Sequence, residues 1–319
     1  MNISKDCIEV LINYNIHSKE DFIEQIQCKR KPAVLRGLYI GDCCEKWSAE
    51  YLTHHIGHLE AKIHVSCESK MDFINKNFSY KTLSLAEIIK RASVTIKENY
   101  FFQPQEYYYL RSLSSERRGR EVSDITKQFA QIADDIVIPK FFDDNDFFSS
   151  VLRVSSEGVQ LWTHYDIMDN ILIQVQGRKR VVLFDPSDIN YLYMEGDKSR
   201  VLDIDNPDLT LFPEFVKATK YVCILEPGDV LFIPALWFHN TLALTYGLAV
   251  NVFWKNLNHE LYDKNDFYGN KDLLPAAKAL QNIESAIKLL NTLPPQYKDF
   301  YMKRCLKNIE KHLQKTENS

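Results

Sequence analysis

Residues 221–254 read YVCILEPGDVLFIPALWFHNTLALTYGLAVNVFW. Apolar runs of strand length follow one another here as YVCILE, VLFIP, NTLAL and LAVNVFW, divided by the turn signals Pro227-Gly228-Asp229 and Tyr246-Gly247. Upstream, VLRV, NILIQVQ and RVVLF continue the same texture back to Val151, with breaks at Gly158, Gly177 and Asp185-Pro186. Short strands without long helices between them predict an antiparallel barrel or a double-sheet jelly roll over Val151 to Lys255.

Around this core the pattern is mixed. Asp21 to Ile26 and Leu83 to Ala92 have helical apolar spacing, whereas Pro32 to Leu35 and Ala61 to Val65 read as short strands. Tyr107 to Leu110 opens an aromatic strand, and SSERRGRE at 114–121 has the composition of a loop. Beyond residue 270 the period changes to that of a helix. Leu280, Ile283, Ile287 and Leu290 share one helical face, Pro294-Pro295 interrupts it, and Leu306, Ile309 and Leu313 mark a second amphipathic helix. Such a hairpin can pack on its own core or on the same hairpin of a second chain. The expected division is an N-terminal mixed α/β flank over 1–104, a catalytic domain over 105–271 and a helical region over 272–319.

The chain has 319 residues, is 45% hydrophobic and carries a formal net charge of -4. With a pI near 6.2, no basic surface dominates, so a nucleic-acid partner would rest on a local patch. The cysteines number seven, are odd in count and include no CxxC pair, which fits reduced thiols and a cytosolic setting. The N-terminus lacks a signal-peptide pattern, and the longest apolar run, Val230 to Phe238, is far short of the roughly 20 residues of a membrane span. No membrane partner is expected.

Chemistry concentrates in LWTHYDIMDN, residues 161–170. His164 and Asp166 are two apart, so an extended strand projects both to one face. A lone His-x-Asp is a weak signal, and singly each residue reads more simply as a satisfied histidine and a turn-capping carboxylate. His239, after the EPGD turn and an apolar strand, supplies a third candidate. Two imidazoles and one carboxylate on a small barrel form the facial triad that leaves open positions on iron(II). Lys179 follows the turn at Gln176-Gly177, so a hairpin return would bring it back toward that site. A cation deep in a barrel suits an acidic cosubstrate, although RKR at 178–180 also reads as a solvated cluster. Asn170 lies four beyond Asp166, an even offset on an unbroken strand, and Asp169 at odd spacing should face away. Asn251 is a further inward candidate. THHIGH at 53–58 lacks the glutamate of HExxH and reads as a surface helix, and Cys43-Cys44 as ordinary thiols.

WTHYD, the lysine of GRKRVVLFDP and EPGDVLFIPALWFHN together resemble the JmjC family of iron(II) and 2-oxoglutarate dioxygenases. Further stretches, including MDFINKNF, YYLRSL, LDIDNPDL and GNKD, extend the similarity over most of the chain to members that hydroxylate a modified tRNA base. The resemblance implies a mainly β protein with flanking helices, a double-stranded β-helix of the cupin-like jelly-roll type with a C-terminal helical hairpin. It implies Fe(II) held by His164, Asp166 and His239, and 2-oxoglutarate, consumed with O2, contacted by Tyr109, Asn170 and Lys179. The implied substrate is the side chain of the wybutosine-type guanosine beside the anticodon of tRNA-Phe, with succinate and CO2 as co-products. A homodimer through the C-terminal helices is implied as well. Other members act on protein side chains, so a protein hydroxylase or histone lysine demethylase is the alternative, and a non-catalytic binding module a third. Lys29, Arg30, Lys31, Arg117, Arg118, Arg120 and Arg178 to Arg180 are candidate phosphate contacts. The expected location is cytoplasmic, with the nucleus not excluded.

Overall fold

The computed structural model describes residues 7–14, 16–94, 98–114 and 120–316. Strands of four or more residues are labelled β1 (Glu60–Ser66), β2 (Phe78–Ser84), β3 (Tyr107–Arg111), β4 (Phe147–Ser155), β5 (Asp169–Gln176), β6 (Lys179–Phe184), β7 (Lys220–Leu225), β8 (Val230–Ile233), β9 (Phe238–Ala243) and β10 (Gly247–Trp254). They form two sheets. The larger has nine strands in the order 12–13, 33–35, β8, β5, β10, β4, β3, β1, β2. The smaller has six, in the order 7–9, β7, β6, β9, 160–161, 70–71. The result is the jelly-roll sandwich expected of the repeated short strands.

Alternation along each strand sorts residues between the two faces of the large sheet. Leu172 and Ala249 point between the sheets with Leu231 and Ile233 of the neighbouring β8, where they meet Val181 and Leu183 of the opposing sheet. Ile171, Ile173, Val250, Val252 and Trp254 point the other way, onto the N-terminal helices. There, helix α1 (Lys19–Gln25) begins with a reciprocal cap between Ser18 and Asp21 and buries Phe22, which stacks on Phe141 at 4.0 Å between centroids. Helices α2 (Ala49–Ile56) and α3 (Leu85–Ser93) cover the same face through Leu52, Ile56, Ile88 and Ile89. The large sheet is therefore apolar on both faces, except where polar side chains point into the barrel.

One expectation about connectivity fails. β5 and β6 do not pair as a hairpin. The turn at Gln176-Gly177 carries the chain from the large sheet to the small one, where β6 lies between β7 and β9. Gly177 has φ of 72°, and a Cβ there would lie 2.0 Å from the Tyr246 carbonyl oxygen, so only glycine permits the crossing.

The chain divides into two compact units, one of residues 1–259 and 264–270, the other of 260–263 and 271–319. The second contains helices α4 (Leu274–Leu290) and α5 (Pro295–Thr316). Of the predicted apolar faces, Leu280, Ile283, Ile287, Leu306, Ile309 and Leu313 are exposed and Leu290 is half-buried. No helix among the described residues is long and apolar enough to cross a membrane.

Candidate metal centre

His164 and His239 meet through an isolated antiparallel bridge. His164 N–H donates to the His239 carbonyl at 3.2 Å, and His239 N–H returns the bond to the His164 carbonyl at 2.8 Å. This pairing sets the imidazoles side by side, with centroids 4.3 Å apart. Asp166 completes the group: one ligand atom from each of the three residues lies within 4.8 Å of the others. No other set of three or more such residues converges among the described residues, so neither THHIGH nor Cys43-Cys44 contributes to one.

The donor set fits a metal. His164 Nδ1 lies 3.0 Å from the Trp162 carbonyl, and His239 Nδ1 lies 3.1 Å from the Trp237 carbonyl. A carbonyl only accepts, so both Nδ1 atoms carry hydrogen, and the lone pair of each neutral ring is on Nε2. His239 Nε2 lies 3.6 Å from Asp166 Oδ2. Burial, followed by the neighbouring His239, holds His164 well below the ordinary imidazole pKa, in the neutral form that ligates.

The local backbone is shaped by the second acid of the opening motif. Ile167 and Met168 form a bend, so the strand from Asp166 to Asn170 is not the unbroken one that the spacing suggested. β5 starts at Asp169, whose fully buried carboxylate takes a two-pronged contact from Arg30, both bonds 2.7 Å, and accepts from the Ala235 N–H at 2.8 Å. The next residue, Leu236, takes φ of 72° while its N–H donates to the Asp166 carbonyl at 2.8 Å. Asp169 does face away from the triad, as its spacing predicts, yet it fastens the turn that delivers His239.

From Asp166 a polar chain runs between the sheets. Asn170 Nδ2 approaches Asp166 Oδ2 at 3.5 Å, and Asn170 Oδ1 accepts from Asn251 Nδ2 at 3.2 Å. Asn251 Oδ1 accepts from Arg153 Nε at 2.6 Å, and Arg153 also donates to the Tyr109 hydroxyl. Tyr109, Asn170 and Asn251 are buried and point inward, in agreement with their strand positions. Arg153 was missed by sequence reasoning. Its signal is the alternation Val151-Arg153-Ser155, a cation on the inward face of a strand otherwise read only as VLRV.

Lys179 reaches the interior by a different route from the hairpin that was expected. It shares its strand face with Val181 and Leu183, is 6% exposed, and makes no ion pair among the described residues. Burial, and then the charge of Arg153, push its ammonium pKa down to about 7. A buried cation facing another cation is costly without an anion. The donor set thus fits both a metal at the triad and an acidic group between Lys179 and Arg153.

A cavity of about 390 Å³ opens onto His164 and Asp166, with Tyr109 and Arg153 in its wall. Phe73 stacks on Trp162 at 3.5 Å between centroids, beside the triad. His64, whose Nδ1 donates to the Tyr109 carbonyl at 3.2 Å, is pushed down to about 4 by burial. Several expected phosphate contacts are instead engaged in ion pairs: Arg30 with Asp169, Arg178 with Glu226, and Arg180 with Asp205. Arg117 and Arg118 lie outside the described residues.

Comparisons with known proteins agree with this architecture. Residues 19–260 match the family described as a cupin-like domain. A protein of Danio rerio named tRNA wybutosine-synthesizing protein 5 is 54% identical over 93% of this chain and 91% of its own length. Its namesake in Homo sapiens is 52% identical over 92% and 93%. A Gibberella zeae protein named tRNA wybutosine-synthesizing protein 4 is 35% identical over 93% of this chain, which spans 28% of that longer relative. The chain belongs to the cupin-like domain family and, within it, to the family of the vertebrate proteins named tRNA wybutosine-synthesizing protein 5.

Proposed function

We propose that this chain is a JmjC-type dioxygenase that hydroxylates the side chain of the wybutosine-type guanosine next to the anticodon of tRNA-Phe. The observation that carries the reading is the convergence of His164, Asp166 and His239, the first two lining a cavity, with Lys179 held inside the same barrel and making no ion pair among the described residues. Bound at the triad, iron(II) with 2-oxoglutarate and dioxygen supplies the oxidising chemistry, which releases succinate and carbon dioxide and leaves one hydroxyl on the substrate. The names of the relatives supply the substrate class.

Within this reading the residues bind and orient. His164 and His239 present Nε2, each fixed by its Nδ1–H bond to a backbone carbonyl. The Lys179 ammonium meets the far carboxylate of 2-oxoglutarate, an anion that returns its pKa toward the ordinary lysine value. Tyr109 and Asn170 complete the cosubstrate pocket, positioned through Arg153 and Asn251. The apolar wall of Phe73 and Trp162 keeps water from the reacting face. A modified base in a single-stranded anticodon loop reaches such a cavity without a duplex being opened. The exposed apolar faces of α4 and α5 support pairing with a second copy, and the reduced cysteines support a cytoplasmic location.

The test is direct. Purified protein with iron(II) and 2-oxoglutarate is incubated with wybutosine-bearing tRNA-Phe and, separately, with histone and asparagine-containing peptides. One added oxygen on the modified nucleoside by mass spectrometry is expected. An unchanged nucleoside alongside turnover on a peptide would favour the protein-hydroxylase or demethylase alternative.

A further inference from the structure

The cavity that opens onto the triad carries cations at its mouth that the proposed chemistry leaves without a task. β1 pairs with β3 through Ile63 opposite Leu110, so one step further along the register Lys62 stands opposite Arg111. Both line the cavity. Neither makes an ion pair among the described residues: the Arg111 guanidinium donates to the Tyr268 carbonyl at 3.0 Å, and the Lys62 ammonium lies 4.1 Å from the centroid of the Tyr80 ring. By contrast Lys198, at the same cavity, pairs with Asp197.

Two like charges facing each other across adjacent strands destabilise the sheet unless an anion sits between them. The charges acting on Arg111 from within the protein include the repelling Arg153 and the attracting Asp166, and Asp166 belongs to the metal donor set. Arg111 also stands opposite Arg153 on β4, so the mouth adjoins the polar chain that ends at Arg153, whereas Lys179 lies on β6 of the other sheet. The mouth also presents two half-exposed aromatic rings, Tyr80 at 48% and Tyr268 at 46%, on the same cavity. Exposed rings interleaved with cations are the combination that holds single-stranded nucleic acid, with bases on the rings and oxyanions on the cations.

We propose that Lys62 and Arg111 form a substrate oxyanion site at the cavity mouth, flanked by Tyr80 and Tyr268 as stacking faces and separate from the cosubstrate site at Lys179. The inference rests on the RNA reading of the function and names how that substrate is held. The oxyanion is a phosphate of the anticodon loop or a carboxylate on the side chain of the modified base. Both are anions of the geometry a guanidinium fork accepts.

The test uses the full chain without added metal, and fluorescence anisotropy of three labelled probes: an unmodified anticodon stem-loop, tRNA-Phe bearing the modified base as its free acid, and the same tRNA with the base as its methyl ester. Arg111→Gln and Lys62→Met are each expected to weaken binding about tenfold, with Arg111→Lys recovering part of the loss and all three keeping the circular dichroism of the unaltered protein. If the anion is a phosphate, all three probes lose affinity, and the slope of log affinity against log salt falls by about 0.7 for each contact removed. If it is a carboxylate, only the free-acid tRNA loses affinity. Undiminished binding of every probe by Arg111→Gln and Lys62→Met would overturn this inference alone. Failure of the unaltered chain to bind any RNA would overturn the RNA reading and the inference with it.

Discussion

Replacing Lys179 by methionine should stabilise the protein in the absence of cosubstrate, and by an amount that depends on pH. The ammonium is 6% exposed, and burial with the repulsion of Arg153 brings its pKa from the ordinary 10.5 to about 7. At about 1.4 kcal/mol for each tenfold change, that depression corresponds to roughly 3–5 kcal/mol of penalty for keeping the charge inside. Its sign follows from proton linkage. Below about 7 both the folded and the unfolded chain hold the proton, and the penalty is present in full. Between about 7 and 10.5 the unfolded chain binds more protons than the folded one, so stability rises with pH. Above 10.5 the penalty is gone. Urea unfolding of both proteins at pH 6, 8 and 9.5 measures the difference. Lys179→Met should be the more stable at pH 6 by about 2 kcal/mol or more, with the gap narrowing as pH rises. Saturating 2-oxoglutarate with a redox-inert divalent metal should shrink the gap at pH 6, because the anion stabilises the unaltered protein alone. Parallel stability curves for the two proteins would refute the claim that Lys179 is a cation whose charge is penalised by burial.

Alanine at His164, Asp166 or His239 should abolish tight binding of cobalt(II), followed by its visible absorption. At metal about 100-fold above Kd the unaltered chain should gain about 2.7 kcal/mol of stability that the variants do not. A His239→Ala protein that keeps this gain would remove His239 from the ligand set. Asp169→Ala should cost about 2–4 kcal/mol in urea unfolding, since it strands the Arg30 guanidinium and the Ala235 N–H. The Arg30 side chain is 42% exposed, so water recovers part of the loss and the cost stays below the roughly 3–5 kcal/mol of breaking a fully buried pair. A change below about 0.5 kcal/mol would show that the Asp169–Arg30 pair does not hold the turn before His239.

Much of this site is legible in the sequence because strand alternation is local. Asn170 and Leu172 against Ile171 and Ile173, and Lys179 with Val181 and Leu183, declare their faces without knowledge of the partner strands. The His164-x-Asp166 pair is also local, but alone it is a weak signal, and His239 joins it only through the backbone bridge to His164. What stayed hidden depends on distant pairing. The Arg30–Asp169 contact joins residues 139 apart in sequence, and no local pattern marks it. Arg153 acquires a meaning only once β4 is seen beside β3 and β10, which bring Tyr109 and Asn251 within its reach. The change of sheet at Gly177 could not be read from a turn signal, because the same residues suit a hairpin. Lys62 and Arg111 lie in unrelated segments and become neighbours only through the β1–β3 register.

If the proposed function holds, His164, Asp166 and His239 support oxidation of a tRNA base at the expense of 2-oxoglutarate and dioxygen. Turnover of wybutosine-bearing tRNA-Phe under oxygen-18 gas, with succinate and nucleoside quantified together, tests it most directly. The prediction is an oxygen-18 label in the hydroxylated nucleoside, formed one for one with succinate, and neither product from Asp166→Ala. Label arriving from water, or succinate formed without any change in the nucleoside, would contradict it.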